Sequence, residues 1–258
     1  MFAYQVYTTV DLIRRRHPSY WPEQAVSIVF DATWGSSILG PLTKGFAHSV
    51  ALSRQQPYRY LTAGFLHGGI LHLILNMDAL LRLPSWLESG LGRGLYLTTF
   101  LLSVMAGNFG HTLMNLESAE HMLCLGASGG ICGLYGLMYT SLVKMGNMRA
   151  ASRVARGMIF ILVYGLLNAS ISNASHAGGF LGGVIVGVLC GPFYRKSYAA
   201  RRKNSVDVDI YPRDYRLAMG FGTNPSRRGF VPIEAIWAGG LATLIAFTRF
   251  YRVAKLVR

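Results

Sequence analysis

The chain has 258 residues, 52% of them hydrophobic and only 14% charged, with a formal net charge of +14. A soluble domain carries about 25% charged residues, so this composition argues against an ordinary soluble fold. The basic excess is spread along the chain instead of forming one patch, which argues against a nucleic-acid-binding protein.

At the N-terminus, Met1 to Leu12 is semi-apolar and ends at Arg14, Arg15 and Arg16. It is too short to cross a bilayer, which takes about 20 apolar residues, and lacks the pattern of a signal peptide. Pro18, Pro22, Pro41 and Pro57 punctuate residues 17–57 and predict a long loop without extended helix, with Trp21 and Trp34 as interfacial anchors. The charge-poor windows come next. Between Arg59 and Arg82 the only charge is Asp78, and from Gly94 to Val143 the only charges are Glu117 and Glu120. From Gly157 to Tyr194 there is none. These windows predict five spans, at about 61–81, 94–114, 127–145, 157–173 and 175–193.

The connections differ in charge. Lys144, Arg149, Arg153 and Arg156 make 144–156 basic, Arg195 to Lys203 is basic, and 115–126 and 168–175 contain no Lys or Arg. Five alternating spans put both basic loops on one side, the positive-inside pattern. Beyond the last span, 195–232 reads as a basic polar surface segment, and 233–258 as a hydrophobic helix, spanning or interfacial, with a basic tail. The organisation is therefore an N-terminal segment with a long interfacial loop (1–57), a membrane core (58–194) and these two C-terminal parts. The fold class is all-α, a polytopic membrane bundle. Cys124, Cys132 and Cys190 form neither a disulfide framework nor a metal-ligand spacing, and no cofactor is implied.

Polar side chains inside spans are costly and mark function. Three groups stand out: His67, His72 and Asn76; Ser128 in Gly126-Ala127-Ser128-Gly129; and His176 in Ser175-His176-Ala177-Gly178-Gly179. His72 and Asn76 are four apart and share a helix face. Ser128 and His176 each begin a span, and each lies ~24 Å from the basic surface at 1.5 Å per residue. Gly179, Gly183, Gly187 and Gly191 form a ridge of small residues, as do Ser128, Cys132 and Gly136 beside Gly129 and Gly133. Such ridges let helices meet closely in lipid. The pattern predicts a serine nucleophile with a histidine base. It also fits a packing role for the serine and glycines with a satisfied buried histidine.

These motifs resemble the rhomboid family of intramembrane proteases. Gly126-Ala127-Ser128-Gly129 is similar to its GxSG nucleophile motif. The run from His176 through Gly179 to Gly183 is similar to its HxxGxxxG base motif, and His67, His72 and Asn76 to its HxxxxHxxxN motif. Tyr58-Arg59 stands where the family has Trp-Arg, and Glu88 and Arg93 where it has an acid and a base. Within the family the run 58–193 is most similar to plant and algal organellar members, which implies a plastid or mitochondrial membrane. The resemblance implies a Ser128–His176 dyad acting on transmembrane protein substrates in the lipid bilayer. It also implies an oxyanion hole from the Ser128 N–H, His72 and Asn76, and a loop-bracing role for His67. The alternative is a non-catalytic scaffold binding membrane clients, although such relatives lack the serine or the histidine. Two departures stand out. Cys132 replaces an aromatic that stacks on the base, leaving the orientation of His176 to other contacts. The family's first helix is represented only by Phe2 to Leu12, so it reads as incomplete.

Overall fold

The computed structural model describes residues 1–16, 18, 21–34, 41–116, 123–168 and 171–191, which form helices and turns with no strand among them. The segment expected over 195–232 and the helix expected over 233–258 lie outside the described residues.

The described residues of 17–57, expected as a long loop, are mostly helical, and a helix precedes them. Together these residues carry α1 (Phe2–Arg16), α2 (Trp21–Trp34), α3 (Pro41–Phe46) and α4 (Val50–Gln55). Pro22 is the second residue of α2 and Pro41 the first of α3. In a first turn the missing proline N–H costs no intrahelical bond, so these prolines start helices instead of breaking them. Ser49 caps α4 by accepting from the Leu52 N–H. Arg14, Arg15 and Arg16 fill the last turn of α1, where positive charge complements the helix dipole.

Next come α5 (Arg59–Thr62), a 3-10 turn (Ala63–Phe65) and α6 (Ile70–Leu81). The chain turns by 93° between Arg59–Phe65 and Ile70–Leu81, so the expected first span is broken at Leu66 to Gly69. After α7 (Ser85–Leu91), α8 (Arg93–Met114), α9 (Ser128–Lys144), α10 (Met148–Leu166) and α11 (Asn173–Cys190) complete the described bundle. The basic stretch 144–156 is mostly helix: Asn147 caps α10, and Arg149, Arg153 and Arg156 lie on its exposed first turns. The expected fourth span thus starts earlier and ends sooner than 157–173.

By length and hydropathy, among the described helices only Asn173–Cys190 can cross a membrane by itself, with a mean hydropathy of 1.3. The bent pair makes a second if counted as one span. The other expected spans are charge-poor but less apolar than this. On α8 the reason is visible: Thr98, Thr99, Ser103, Asn108, His111 and Thr112 are buried against neighbouring helices. Polar groups facing the bundle interior lower the mean hydropathy without facing lipid.

α11 is wedged between α8 and α9, backbone against backbone. A Cβ on Gly110 or Gly107 of α8 would stand 2.7 Å from the carbonyl of Ala174 or Ser175. On the other side, Cβ atoms on Gly179 and Gly183 would overlap the carbonyls of Gly129 and Gly133. The α9 ridge that meets α11 is thus Gly129, Gly133 and Gly136, whose Cβ would meet the Phe180 carbonyl. The expected ridge through Ser128 and Cys132 lies beside it. At the far end, the ammonium of Lys144 donates to the carbonyls of Gly187 (2.8 Å), Val188 (3.1 Å) and Gly191 (2.9 Å), tying the ends of α9 and α11 together. Leu87, Leu91, Leu134 and Leu137 belong to the apolar core at that end.

Candidate active site

Ser128 opens α9 and His176 lies in the first turn of α11. The glycine contacts hold these two helix starts at one level, and His176 Nε2 stands 2.9 Å from Ser128 Oγ. The other ring nitrogen, Nδ1, is buried with no hydrogen-bond partner among the described residues, so no carboxylate among them backs the histidine. Among the described residues no aromatic ring stacks on His176 either; Cys132, one turn below Ser128, is buried and small. The orientation of His176 instead follows from its helix. Its N–H bonds the Ser172 carbonyl at 3.1 Å, and Ser172 caps α11 by accepting from Ser175 N–H at 3.2 Å.

Gly126 shapes the approach to Ser128. Its φ of +120° is a conformation only glycine adopts readily. Its Cα faces the His72 ring: a Cβ there would stand 2.8 Å from His72 Nε2 and 3.9 Å from Asn76 Nδ2. His72 and Asn76 thus come together with Gly126, two residues before Ser128. The Gly68 N–H donates to His72 Nδ1 at 3.3 Å. A neutral imidazole accepting at Nδ1 carries its proton on Nε2, so the donor is aimed at the Gly126 side. Asn76 is buried and spends one amide hydrogen on the His72 carbonyl at 2.8 Å. The second hydrogen is left for another acceptor.

His67 departs from expectation. Hydrogen bonds from its ring do not brace the loop, because both ring nitrogens are buried without a partner among the described residues. The ring packs edge-on against Phe2 and His72, with centroids at 6.5 and 5.3 Å. The bracing is done by its backbone: the His67 N–H donates to Gln5 Oε1 at 3.2 Å, and Gln5 Nε2 donates to the His67 carbonyl at 2.8 Å. Arg59 is the loop brace proper. Its guanidinium, 4% exposed, donates to the carbonyls of Ala47 (2.8 Å) and Lys44 (2.9 Å) and to Gln56 (2.7 Å). Glu88 and Arg93 form an exposed pair at 3.8 Å, far from this chemistry in the chain.

The sequence reading missed a second polar cluster. His48 is fully buried, with Nδ1 2.6 Å from Ser53 Oγ and Nε2 3.0 Å from Thr112 Oγ1. The Thr112 hydroxyl also lies 3.1 Å from the Asn108 carbonyl and 3.1 Å from the Tyr60 hydroxyl, so it joins His48 to both. His48 also pairs through its backbone with Cys124. Burial, then neighbouring His111 and Arg59, push the His48 imidazole down to about 3. One residue along α8, His111 Nδ1 stands 2.8 Å from Ser172 Oγ, the cap of the helix that carries His176. Polar residues within the uncharged window 94–114 were the available signal, since Asn108, His111 and Thr112 break its apolar run.

Ser128, half-buried at the start of one helix, is thus hydrogen-bonded to His176 in the first turn of another. The family model described as Rhomboid domain matches residues 54–193, and the chain belongs to the rhomboid family, a polytopic helical membrane fold. It is similar to RHOMBOID-like protein 7 of Arabidopsis thaliana, 28% identical over 62% of this chain and 53% of that one. It is also similar to Rhomboid-like protease 3 of Toxoplasma gondii, 32% identical over 54% of each chain. RHOMBOID-like protein 6, mitochondrial, of Arabidopsis thaliana is 28% identical over 52% of this chain and 44% of that one. The chain spans about half the length of these curated relatives.

Proposed function

We propose that the protein is an intramembrane serine endopeptidase that cleaves transmembrane-helix substrates with a Ser128–His176 dyad. The observation that carries this reading is the 2.9 Å contact between Ser128 Oγ and His176 Nε2, within the reach a general base needs. His176 takes the hydroxyl proton as Ser128 Oγ bonds to the scissile carbonyl carbon. It returns that proton to the leaving amine, and water then hydrolyses the acyl-enzyme by the same steps in reverse order. As the carbonyl oxygen becomes negative, His72 Nε2–H, the free Asn76 amide hydrogen and the Ser128 N–H donate to it. Fixed donors of this kind in a low-dielectric site are each worth about 2.7–4 kcal/mol. The name of the Toxoplasma relative, a protease, supports the same reading. An organellar membrane is the proposed location, supported by the mitochondrial relative.

The test is covalent labelling with a serine-directed fluorophosphonate in detergent micelles, followed by cleavage of a transmembrane substrate in liposomes. Wild type should label and cleave, whereas Ser128→Ala and His176→Ala should do neither. Labelling that survives in Ser128→Ala would place the reactive serine elsewhere and end this proposal.

A further inference from the structure

We propose that Gln5, on α1, is a positioning residue that sets the hydrogen-bonding direction of His72 through one peptide plane. The inference rests on the oxyanion role proposed above for His72, but its physical content is separate from proteolysis.

The carbonyl of His67 and the N–H of Gly68 belong to the same peptide unit. That unit is planar and trans, so its oxygen and hydrogen point in opposite directions and turn together. Gln5 Nε2 holds the oxygen at 2.8 Å, and His72 Nδ1 receives the hydrogen at 3.3 Å. Gln5 Oε1 also accepts from the preceding N–H, that of His67, at 3.2 Å. One side-chain amide thus grips the peptide from one side while the imidazole reads its orientation from the other.

The grip matters because the adjoining residues are glycines. Gly68 and Gly69 are consecutive glycines at the 93° break between the two halves of the span. Glycine leaves the backbone the widest conformational choice, and the His67 ring, whose nitrogens have no partner among the described residues, supplies no hydrogen bond to restrain it. Gln5 does. It is 0% exposed, and its amide is further anchored on Thr43 Oγ1 at 2.9 Å. Burying an amide this completely is costly unless its hydrogen bonds are met, and two of those it makes hold the peptides on either side of the His67 Cα. If the peptide between His67 and Gly68 rotates, His72 Nδ1 loses its donor. The ring can then carry its proton on Nδ1, leaving Nε2 an acceptor facing Gly126, where a developing oxyanion needs a donor.

The experiment uses the full chain in micelles with 15N-labelled histidine. The tautomer of His72 is read from its ring-nitrogen chemical shifts, assigned by loss of signal in His72→Gln. Wild type should show the Nε2–H form. Gln5→Leu should show a mixture with the Nδ1–H form, and so should Gln5→Glu, which keeps the shape and the acceptor but loses the donor to His67. Thr43→Val, which leaves both His67 contacts in place, should keep the wild-type tautomer. On a transmembrane substrate, kcat of both Gln5 variants should fall by about tenfold with KM little changed, less than the ~100-fold or greater loss on removing an oxyanion donor outright. Gln5→Glu guards against a Gln5→Leu that fails to fold. An unchanged His72 tautomer in a folded Gln5 variant overturns the proposal. A tautomer shift in a protein whose wild type cleaves nothing upholds the positioning and refutes the protease reading.

Discussion

Gly183 on α11 lies against the carbonyl of Gly133 on α9, with no room for a side chain between them. Gly187, one turn on, has as its nearest neighbour the Thr140 side chain, 2.8 Å from where its Cβ would be. Gly183→Val should therefore cost more than Gly187→Val, because a backbone carbonyl cannot rotate away as a side chain can. Overpacking costs about 1–3 kcal/mol and occasionally more. Thermal unfolding in micelles should give Gly183→Val the lower Tm and the weaker fluorophosphonate labelling. Equal Tm values for both variants and wild type would mean that this face of α11 does not bear on α9.

His72→Ala and Asn76→Ala should each lower kcat by about 100-fold, the scale of a lost oxyanion donor, while KM moves little. On the function proposed above, a transmembrane substrate should dock through apolar surface that neither change touches. Labelling at Ser128 should persist in part, since His176 still activates it. Steady-state kinetics in liposomes separates the two constants; wild-type kcat in both variants would reduce these residues to packing groups.

Ser172 serves two partners at once, the Ser175 N–H and His111 Nδ1. Ser172→Ala should cost about 1 kcal/mol for the lost helix cap and should also slow turnover, because the first turn of α11 carries His176. Ser172→Thr keeps the hydroxyl and should restore both. If Ser172→Ala lowers Tm with full activity retained, the cap is structural alone.

Burial holds His48 neutral, with its imidazole at about 3 against an ordinary 6.5. The folded state binds fewer protons than the unfolded chain between these values. The stability due to neutral His48 is therefore complete above about pH 6.5 and is lost as pH falls towards 3. The Tm of wild type should drop through this window, and that of His48→Gln, which cannot charge, should drop less. Parallel Tm profiles would remove His48 from the acid response.

Single cysteines at Arg149→Cys and Leu116→Cys should react from opposite faces of sealed vesicles. Arg149 begins α10 on the Lys144 side, whereas Leu116 lies just past the end of α8 near the site. The native Cys124, Cys132 and Cys190 are buried and should stay silent. Labelling of both positions from one face contradicts the alternating topology.

Much of the bundle could be read from charge alone. The windows free of Lys, Arg, Asp and Glu locate α8, α9 and α11 closely, because a bilayer penalises every charge in them. The glycines of α11 announce a close helix contact for a similar reason: small residues at a spacing of four have little other use in lipid. What stayed hidden depends on tertiary partners. Pro22 and Pro41 look like breakers until one knows that each falls in a first turn. His48 and Gln5 are unremarkable in sequence, since nothing local shows that one will meet Thr112 and the other His67. The His67 ring invites a functional role by its motif position, yet its backbone makes the hydrogen bonds.

Helix α9 has 17 residues, or ~25 Å at 1.5 Å per residue. Hydrocarbon cores range from about 27 Å in thin membranes to ~32 Å in thick ones. Lys144 pins the lower end of α9 to the end of α11, so α9 cannot tilt or slide independently to make up the difference. Hydrophobic mismatch is therefore built into the helix that carries Ser128. A thicker bilayer must thin around Ser128 or carry it further from the aqueous phase that supplies the hydrolytic water. For the protease proposed above, the acyl-chain length of the host lipid should therefore act on turnover.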